Sequence, residues 1–227
     1  MSIATNLAQI RQQIDDACRQ AGRAPESVRL VAVSKVKPAE AIGEALATGQ
    51  TLFGESYVQE FTTKEAEVTG PVEWHFIGHL QTNKVKYLRG KVALIHSVDR
   101  LALAEEINRQ WGKIQQPASI LLQVNIGGEQ TKSGTDEAGL MALAEACSAL
   151  PWLRVTGLMT LPPYALDAED TRPYFRRLRA LRDRLAARQL PRVAPVELSM
   201  GMSHDFAVAI AEGATLVRVG TAIFGQR

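Results

Sequence analysis

Residues 29–38 read RLVAVSKVKP, an apolar, β-branched run that stops on Ser34 and Lys35. Leu30 to Val33 suit a strand buried on both faces, and Pro38 suits the first turn of a helix. A lysine at that point is either a side chain surfacing at a strand end or an amine held at the mouth of an apolar scaffold. In the second case the amine loses part of its hydration, its pKa falls, and it becomes a nucleophile toward carbonyls. This stretch alone favours the plainer alternative. Two others bear on the choice, LSMGMSHD at 198–205 and VRVGTAIFG at 217–225. Gly201 and Gly220 let backbone amides approach a ligand closely, and Ser199, Ser203 and Thr221 supply hydroxyls. A helix starting near His204 adds a partial positive charge at its N-terminus. Either loop by itself is equally well explained by turn and cap residues. Their joint placement points to a phosphate site.

Arg218 adds a third element. It sits inside an apolar strand, where a permanently charged group needs a partner. Among the strand ends only Glu55 offers an obvious inward carboxylate, and a ligand is the other possibility. A lysine, a phosphate cradle and an arginine together are what pyridoxal 5'-phosphate requires. Its aldehyde takes a Schiff base, its phosphate takes amides and hydroxyls, and its ring nitrogen takes a partner.

Positioning these residues needs a scaffold that gathers strand ends. Strand patterns fall at 30–34, 51–53, 74–78, 93–97, 119–126, 153–160, 195–199 and 215–219. Between them lie helical patterns such as PAEAIGEALATG, RLALAEEINRQW, DEAGLMALAEAC and EDTRPYFRRLRALRDRLAARQ, with a weaker case in QTNKVKYL. Eight strands, each followed by a helix or turn, is the counting rule of a (β/α)8 barrel, in which the site forms at the C-terminal strand ends. A doubly wound open sheet fits the same count. The barrel reading sets Lys35 across the mouth from Arg218. A leading helix over 2–21 carries Ile3, Leu7, Ile10, Ile14 and Ala17 at helical spacing. It is expected to cover the gap left after strand eight, where the chain ends too soon for a full eighth helix. The expected fold class is therefore a single α/β barrel domain, residues 1–227, with an extra N-terminal helix.

Bulk properties exclude several function classes. The 227 residues are 46% hydrophobic with a formal charge of +2, which gives no case for a nucleic-acid or membrane partner. No apolar stretch approaches the roughly 20 residues of a membrane span. Cys18 and Cys147 both sit in helical patterns, with no disulfide framework, which suits a reducing, cytoplasmic compartment. His75 and His79 are four apart but flank Gly78 and lack a third ligand, so no metal is expected. The arginines of RPYFRRLRALRDRLAARQ lie opposite a stripe of Phe175, Leu178, Leu181 and Leu185 and read as a solvated face. Lys37, Lys84 and Lys132 are rival amines in less sheltered settings.

The chain also resembles the pyridoxal phosphate homeostasis protein family, relatives of the alanine racemase N-terminal barrel. The likeness runs through LVAVSKVKP at 30–38, FGESYVQE at 53–60, WHFIGHLQTNK at 74–84 and SVDR at 97–100. It continues in QVNIGGEQTKSG at 123–134, GLMTLPP at 157–163 and the whole of 198–225. The resemblance implies that Lys35 carries the cofactor as an internal aldimine and that Arg218 faces the pyridine nitrogen. It also implies that Ser199, Gly201, Ser203, Gly220 and Thr221 hold the phosphate. Ser56 stands where the family has asparagine, so the polar contact of that amide to the ring is in question. His79 replaces a proline common in the family.

A donor-only arginine at the ring nitrogen keeps that nitrogen unprotonated, a weaker electron sink that disfavours carbanion chemistry. Racemisation needs two positioned groups on opposite faces of the α-carbon. In the racemases that this barrel resembles, the second comes from a C-terminal β-domain and the dimer partner, and no such domain is expected here. A non-catalytic carrier serving intracellular pyridoxal phosphate homeostasis, and through it amino-acid and keto-acid balance, therefore ranks ahead of an amino-acid racemase. A cofactor-free Schiff-base aldolase ranks third, for want of a carboxylate pair near the lysine. Apo-enzymes that use the cofactor are the expected partners, and the expected state is a monomer.

Overall fold

A computed structural model describes residues 2–129 and 132–226, so Gln130 and Thr131 of the QVNIGGEQTKSG motif, and the terminal Arg227, lie outside the described residues. Eight parallel strands close into a barrel in chain order. They are β1 (Arg29–Val33), β2 (Leu52–Glu55), β3 (Glu73–Phe76), β4 (Leu94–Val98), β5 (Ala118–Gln123), β6 (Leu153–Met159), β7 (Val193–Met202) and β8 (Leu216–Val219). The helices are α1 (Ile3–Gln20), α2 (Ala39–Leu46), α3 (Val58–Glu67), α4 (Leu101–Gly112), α5 (Glu137–Ser148), α6 (Arg172–Ala186), α7 (Phe206–Ala211) and α8 (Thr221–Phe224). A 3₁₀ turn at Thr82–Tyr87 replaces a full helix between β3 and β4, in keeping with its weak pattern. The closed order excludes the open sheet.

Each strand alternates between two apolar environments. One side packs against the helices in the main core; the other points into the barrel, where Val31, Leu52, Leu94, Leu121, Met159 and Leu216 form a separate buried cluster. That double burial is why the strand sequences lack a polar face. Four strands depart from it in part, because His75 on β3, His96 on β4, Ser199 on β7 and Arg218 on β8 are also buried. Between β7 and β8 the register slips from Ser199↔Leu216 to Met202↔Arg218, so three residues on β7 match two on β8. This bulge bends β7 at the rim that carries LSMGMSHD.

The leading helix closes the barrel wall as expected. Ser2 caps α1 by accepting from the Thr5 amide, and Leu7, Ile10, Ile14, Ala17 and Cys18 are buried. Its hydrogen bonds reach the end of the chain: Asn6 Nδ2 donates to the Ile223 carbonyl at 2.8 Å. Arg23, just beyond it, donates to the Ile210 carbonyl at 2.8 Å. α8 is a single turn, so α1 supplies the apolar surface that a full eighth helix would have given.

Candidate functional site

The turn after β1 is held from below by α3. Ser34 takes the last rung of the sheet, its amide donating to the Gly54 carbonyl at 3.1 Å, and the Lys37 amide returns to the Ser34 carbonyl at 3.1 Å. Between them Val36 adopts φ 57°, a left-handed conformation that a β-branched residue adopts only under constraint. The constraint is visible. The Val36 amide donates to Glu60 Oε1 at 2.5 Å. Lys64 Nζ donates to the Ser34 carbonyl at 2.7 Å, to Glu55 Oε1 at 2.8 Å and to Glu60 Oε1 at 2.5 Å. Ser34 Oγ completes the cluster with a 2.6 Å bond to Glu55 Oε1. Burial raises the Glu55 pKa, and the hydrogen bonds from Lys64 and Ser34 oppose it. Lys35 emerges half-buried from this clamp, two residues past Val33.

The closing loops flank the same turn. Gly201 sits at φ 88°, and a Cβ there would lie 2.6 Å from Ala209 Cβ and 2.9 Å from Phe206 Cα. Asp205 folds the loop back on itself: its Oδ1 accepts from the Met202 amide at 2.6 Å and its amide donates to the Met202 carbonyl at 3.1 Å. Ser203 is half-buried and Thr221 exposed at the rim. A Cβ on Gly220 would come within 3.2 Å of the Val33 carbonyl, so the last loop passes directly beside the end of β1.

Arg218 lies deeper. Its position pairs with Val31 on β1, so barrel closure makes it a neighbour of the lysine strand rather than a residue across the mouth. It is 4% exposed. Nη1 donates to Ser199 Oγ at 2.5 Å and Nη2 to the Thr160 carbonyl at 2.9 Å. Burial lowers its pKa to about 10, with Asp205 acting through space in the other direction. Among the described residues no carboxylate forms an ion pair with it, and Glu55 is engaged by Lys64 instead. Ser199 is fully buried between Arg218 and His96, whose Nδ1 lies 2.8 Å from its hydroxyl.

The remaining candidates sit around this centre. Ser56 follows β2, half-buried, and its backbone fills the space where Gly78 would carry a side chain, 2.1 Å from that virtual Cβ. Exposed His79 shares a 3.1 Å hydrogen bond with Ser133. The rival amines are occupied elsewhere: Lys37 on the Gln226 carbonyl, Lys132 on the Pro162 carbonyl and Lys84 beside the Tyr87 ring. Sequence reasoning missed Lys64, Asp205 and the contact of His96 with Ser199. The hydrophobic spacing of α3 was the one signal for Lys64; nothing local flags the other two.

These residues suit an anionic aldehyde cofactor. A buried guanidinium with no carboxylate paired to it among the described residues, and two glycines, Gly201 and Gly220, that have neighbouring atoms where a side chain would stand, are features that such a group would use. A half-buried amine at the same rim completes the set.

The family model described as alanine racemase, N-terminal domain, matches residues 5–227. A pyridoxal phosphate homeostasis protein of Aquifex aeolicus is 50% identical, the match covering 100% of this chain and 99% of the relative. The structure of PipY from Synechococcus elongatus with PLP bound superposes with a TM-score of 0.87 at 41% identity, covering 99% of this chain and 100% of PipY. An unknown protein from Bifidobacterium adolescentis gives a TM-score of 0.93 at 36% identity, with 98% and 94% covered.

Proposed function

The chain belongs to the pyridoxal phosphate homeostasis protein family and carries its alanine racemase N-terminal barrel, and from that premise we propose that it binds pyridoxal 5'-phosphate covalently on Lys35 and acts in intracellular cofactor homeostasis without robust catalysis of its own. The observation that carries the reading is Arg218, a buried cation without an ion-pair partner among the described residues, beside the strand whose following turn carries Lys35. Lys35 supplies the amine for the condensation with an aldehyde that this cofactor brings, water being the product. Gly201, Ser203, Gly220 and Thr221 form the rim that receives the phosphate, with Ser199 beneath them. Ser56 approaches the ring side.

Arg218 argues for a carrier. A guanidinium can only donate, so the ring nitrogen facing it accepts and stays unprotonated. Proton removal from an attached amino acid then gains little from the ring. Buried free thiols at Cys18 and Cys147 suit a cytoplasmic setting, and apo-enzymes needing the cofactor are its recipients. One barrel monomer supplies every group named. Among the described residues no helix is long and apolar enough to cross a membrane.

The test is direct. Purified protein incubated with pyridoxal 5'-phosphate should turn yellow, lose the colour on borohydride treatment, and yield a pyridoxyl adduct on the peptide containing Lys35. Sustained conversion of an L-amino acid to its D-form, lost in Lys35→Ala, would replace the carrier reading with a racemase.

A further inference from the structure

The interior of a (β/α)8 barrel is normally filled by layers of branched apolar side chains. Here a line of polar groups crosses it. Arg218 Nη1 meets Ser199 Oγ at 2.5 Å, Ser199 Oγ meets His96 Nδ1 at 2.8 Å, and His96 Nε2 meets His75 Nδ1 at 2.9 Å. His75 Nε2 then meets Glu73 Oε1 at 3.1 Å, and Glu73 pairs with Arg29 at 2.6 Å. Ser199, His96 and His75 are at most 1% exposed, whereas the side chain of Glu73 is 42% exposed. Glu73 opens onto a 250 Å³ cavity at the opposite barrel face, together with Arg29, Thr156 and Glu197. Buried polar groups are costly unless every one is satisfied, so such a line in a barrel core calls for a role.

Donor and acceptor chemistry gives the line a single direction. Arg218 only donates, so Ser199 Oγ accepts from it. At the other end the hydrogen bond to His75 holds the Glu73 carboxyl down at about 2, so near neutral pH it only accepts and His75 Nε2 carries the proton. Burial lowers the pKa of His75 and lowers that of His96 further, which keeps both rings neutral with one N–H each. His75 Nδ1 must then accept from His96 Nε2–H, and His96 Nδ1 must accept from the Ser199 hydroxyl. Every link donates toward Glu73. The bond dipoles run from a cation to an anion with their positive ends toward the carboxylate, the favourable alignment.

We propose that His96 and His75 are positioning residues for Arg218, forming a one-way hydrogen-bond relay, anchored on Glu73, that fixes the Ser199 lone pair on the guanidinium and so aims the guanidinium at the cofactor ring. The proposal rests on reading Arg218 as the ring-nitrogen partner. The Ser199 proton is committed to His96 in this arrangement, which leaves the phosphate to Ser203, Thr221 and the loop amides.

Two measurements on the full chain test it. In cofactor-free protein, nitrogen-15 spectra should show His75 and His96 as neutral Nε2–H tautomers near neutral pH. A protonated ring or an Nδ1–H tautomer at either position overturns the relay. In titrations with pyridoxal 5'-phosphate, His96→Leu should weaken binding by about tenfold or more and shift the visible absorption of the bound cofactor. His96→Gln keeps an acceptor and a donor and should stay within about threefold of wild type. Equal losses in the two variants would reduce His96 to packing, and wild-type behaviour in both would remove its role. Should His96→Leu fail to fold, His96→Gln and the spectra of Glu73→Leu, which removes the acceptor for His75 Nε2–H, decide: loss of the single tautomer at His75 in Glu73→Leu supports the relay, and unchanged spectra refute it. Wild-type protein that takes up no cofactor would sink the functional reading, and the relay then stands or falls on the nitrogen spectra.

Discussion

Gly201 carries two demands at once, a φ of 88° and no room for a Cβ, which would sit 2.6 Å from Ala209 Cβ. An alanine there meets left-handed strain and a clash together, so Gly201→Ala should cost roughly 2–4 kcal/mol. Urea denaturation measures that cost, and cofactor titration should show weaker binding because Gly201 shapes the rim. Lys35 behaves differently. It is half-buried and its neighbours are held by Lys64 and Glu60, so Lys35→Ala should leave the stability within about 1 kcal/mol of wild type. The same variant should abolish the borohydride-trapped adduct. A retained adduct, on Lys37 or elsewhere, would move the site. Motif spacing already marked Lys35, Gly201 and Arg218, because a strand-end amine, a tight loop and a buried charge each leave a local signature. The burial of Ser199 has none, since a serine in LSMGMS reads the same whether it faces a ligand or a histidine.

At the scale of elements, α3 is the part of the scaffold that sequence reading left unassigned. Val58, Phe61 and Lys64 form its buried side, so one of its three inward positions is a lysine and the apolar stripe is interrupted. That lysine ties together three segments: the β1 turn through the Ser34 carbonyl, β2 through Glu55, and its own helix through Glu60. Removing it leaves Glu55 buried and unpaired. Lys64→Met should therefore lose roughly 3–5 kcal/mol of stability, and the double variant with Glu55→Gln should regain much of it. A single variant as stable as wild type would show that the cluster contributes nothing. The strained Val36 belongs to the same element pair. Loosening α3 should also broaden the position of Lys35, seen as slower cofactor capture in stopped-flow absorbance.

For the whole molecule, the polar line inside the barrel makes stability depend on acid. Buried His75 and His96 have lowered pKa values in the folded state, so below the ordinary value of 6.5 the unfolded chain binds more protons than the folded one. Stability therefore falls as the pH drops through that point. Glu73 adds a further loss between its ordinary 4.5 and about 2, whereas Glu55, with a raised pKa, works in the opposite direction. Thermal melts of wild type and of the double variant His75→Gln, His96→Gln should diverge at neutral pH and converge as the pH falls below 6.5; parallel curves would contradict the buried-neutral reading. The sequence by itself determined the eight-strand count, the covering role of α1 and the residues at the strand ends, because periodicity, caps and glycines are encoded within a few positions of one another. Only the tertiary structure decided that β8 lies beside β1, that Glu55 belongs to Lys64 and not to Arg218, and that two histidines 21 residues apart share a hydrogen bond. Barrel closure and strand register set those distances, and neither is written in any local stretch of the chain.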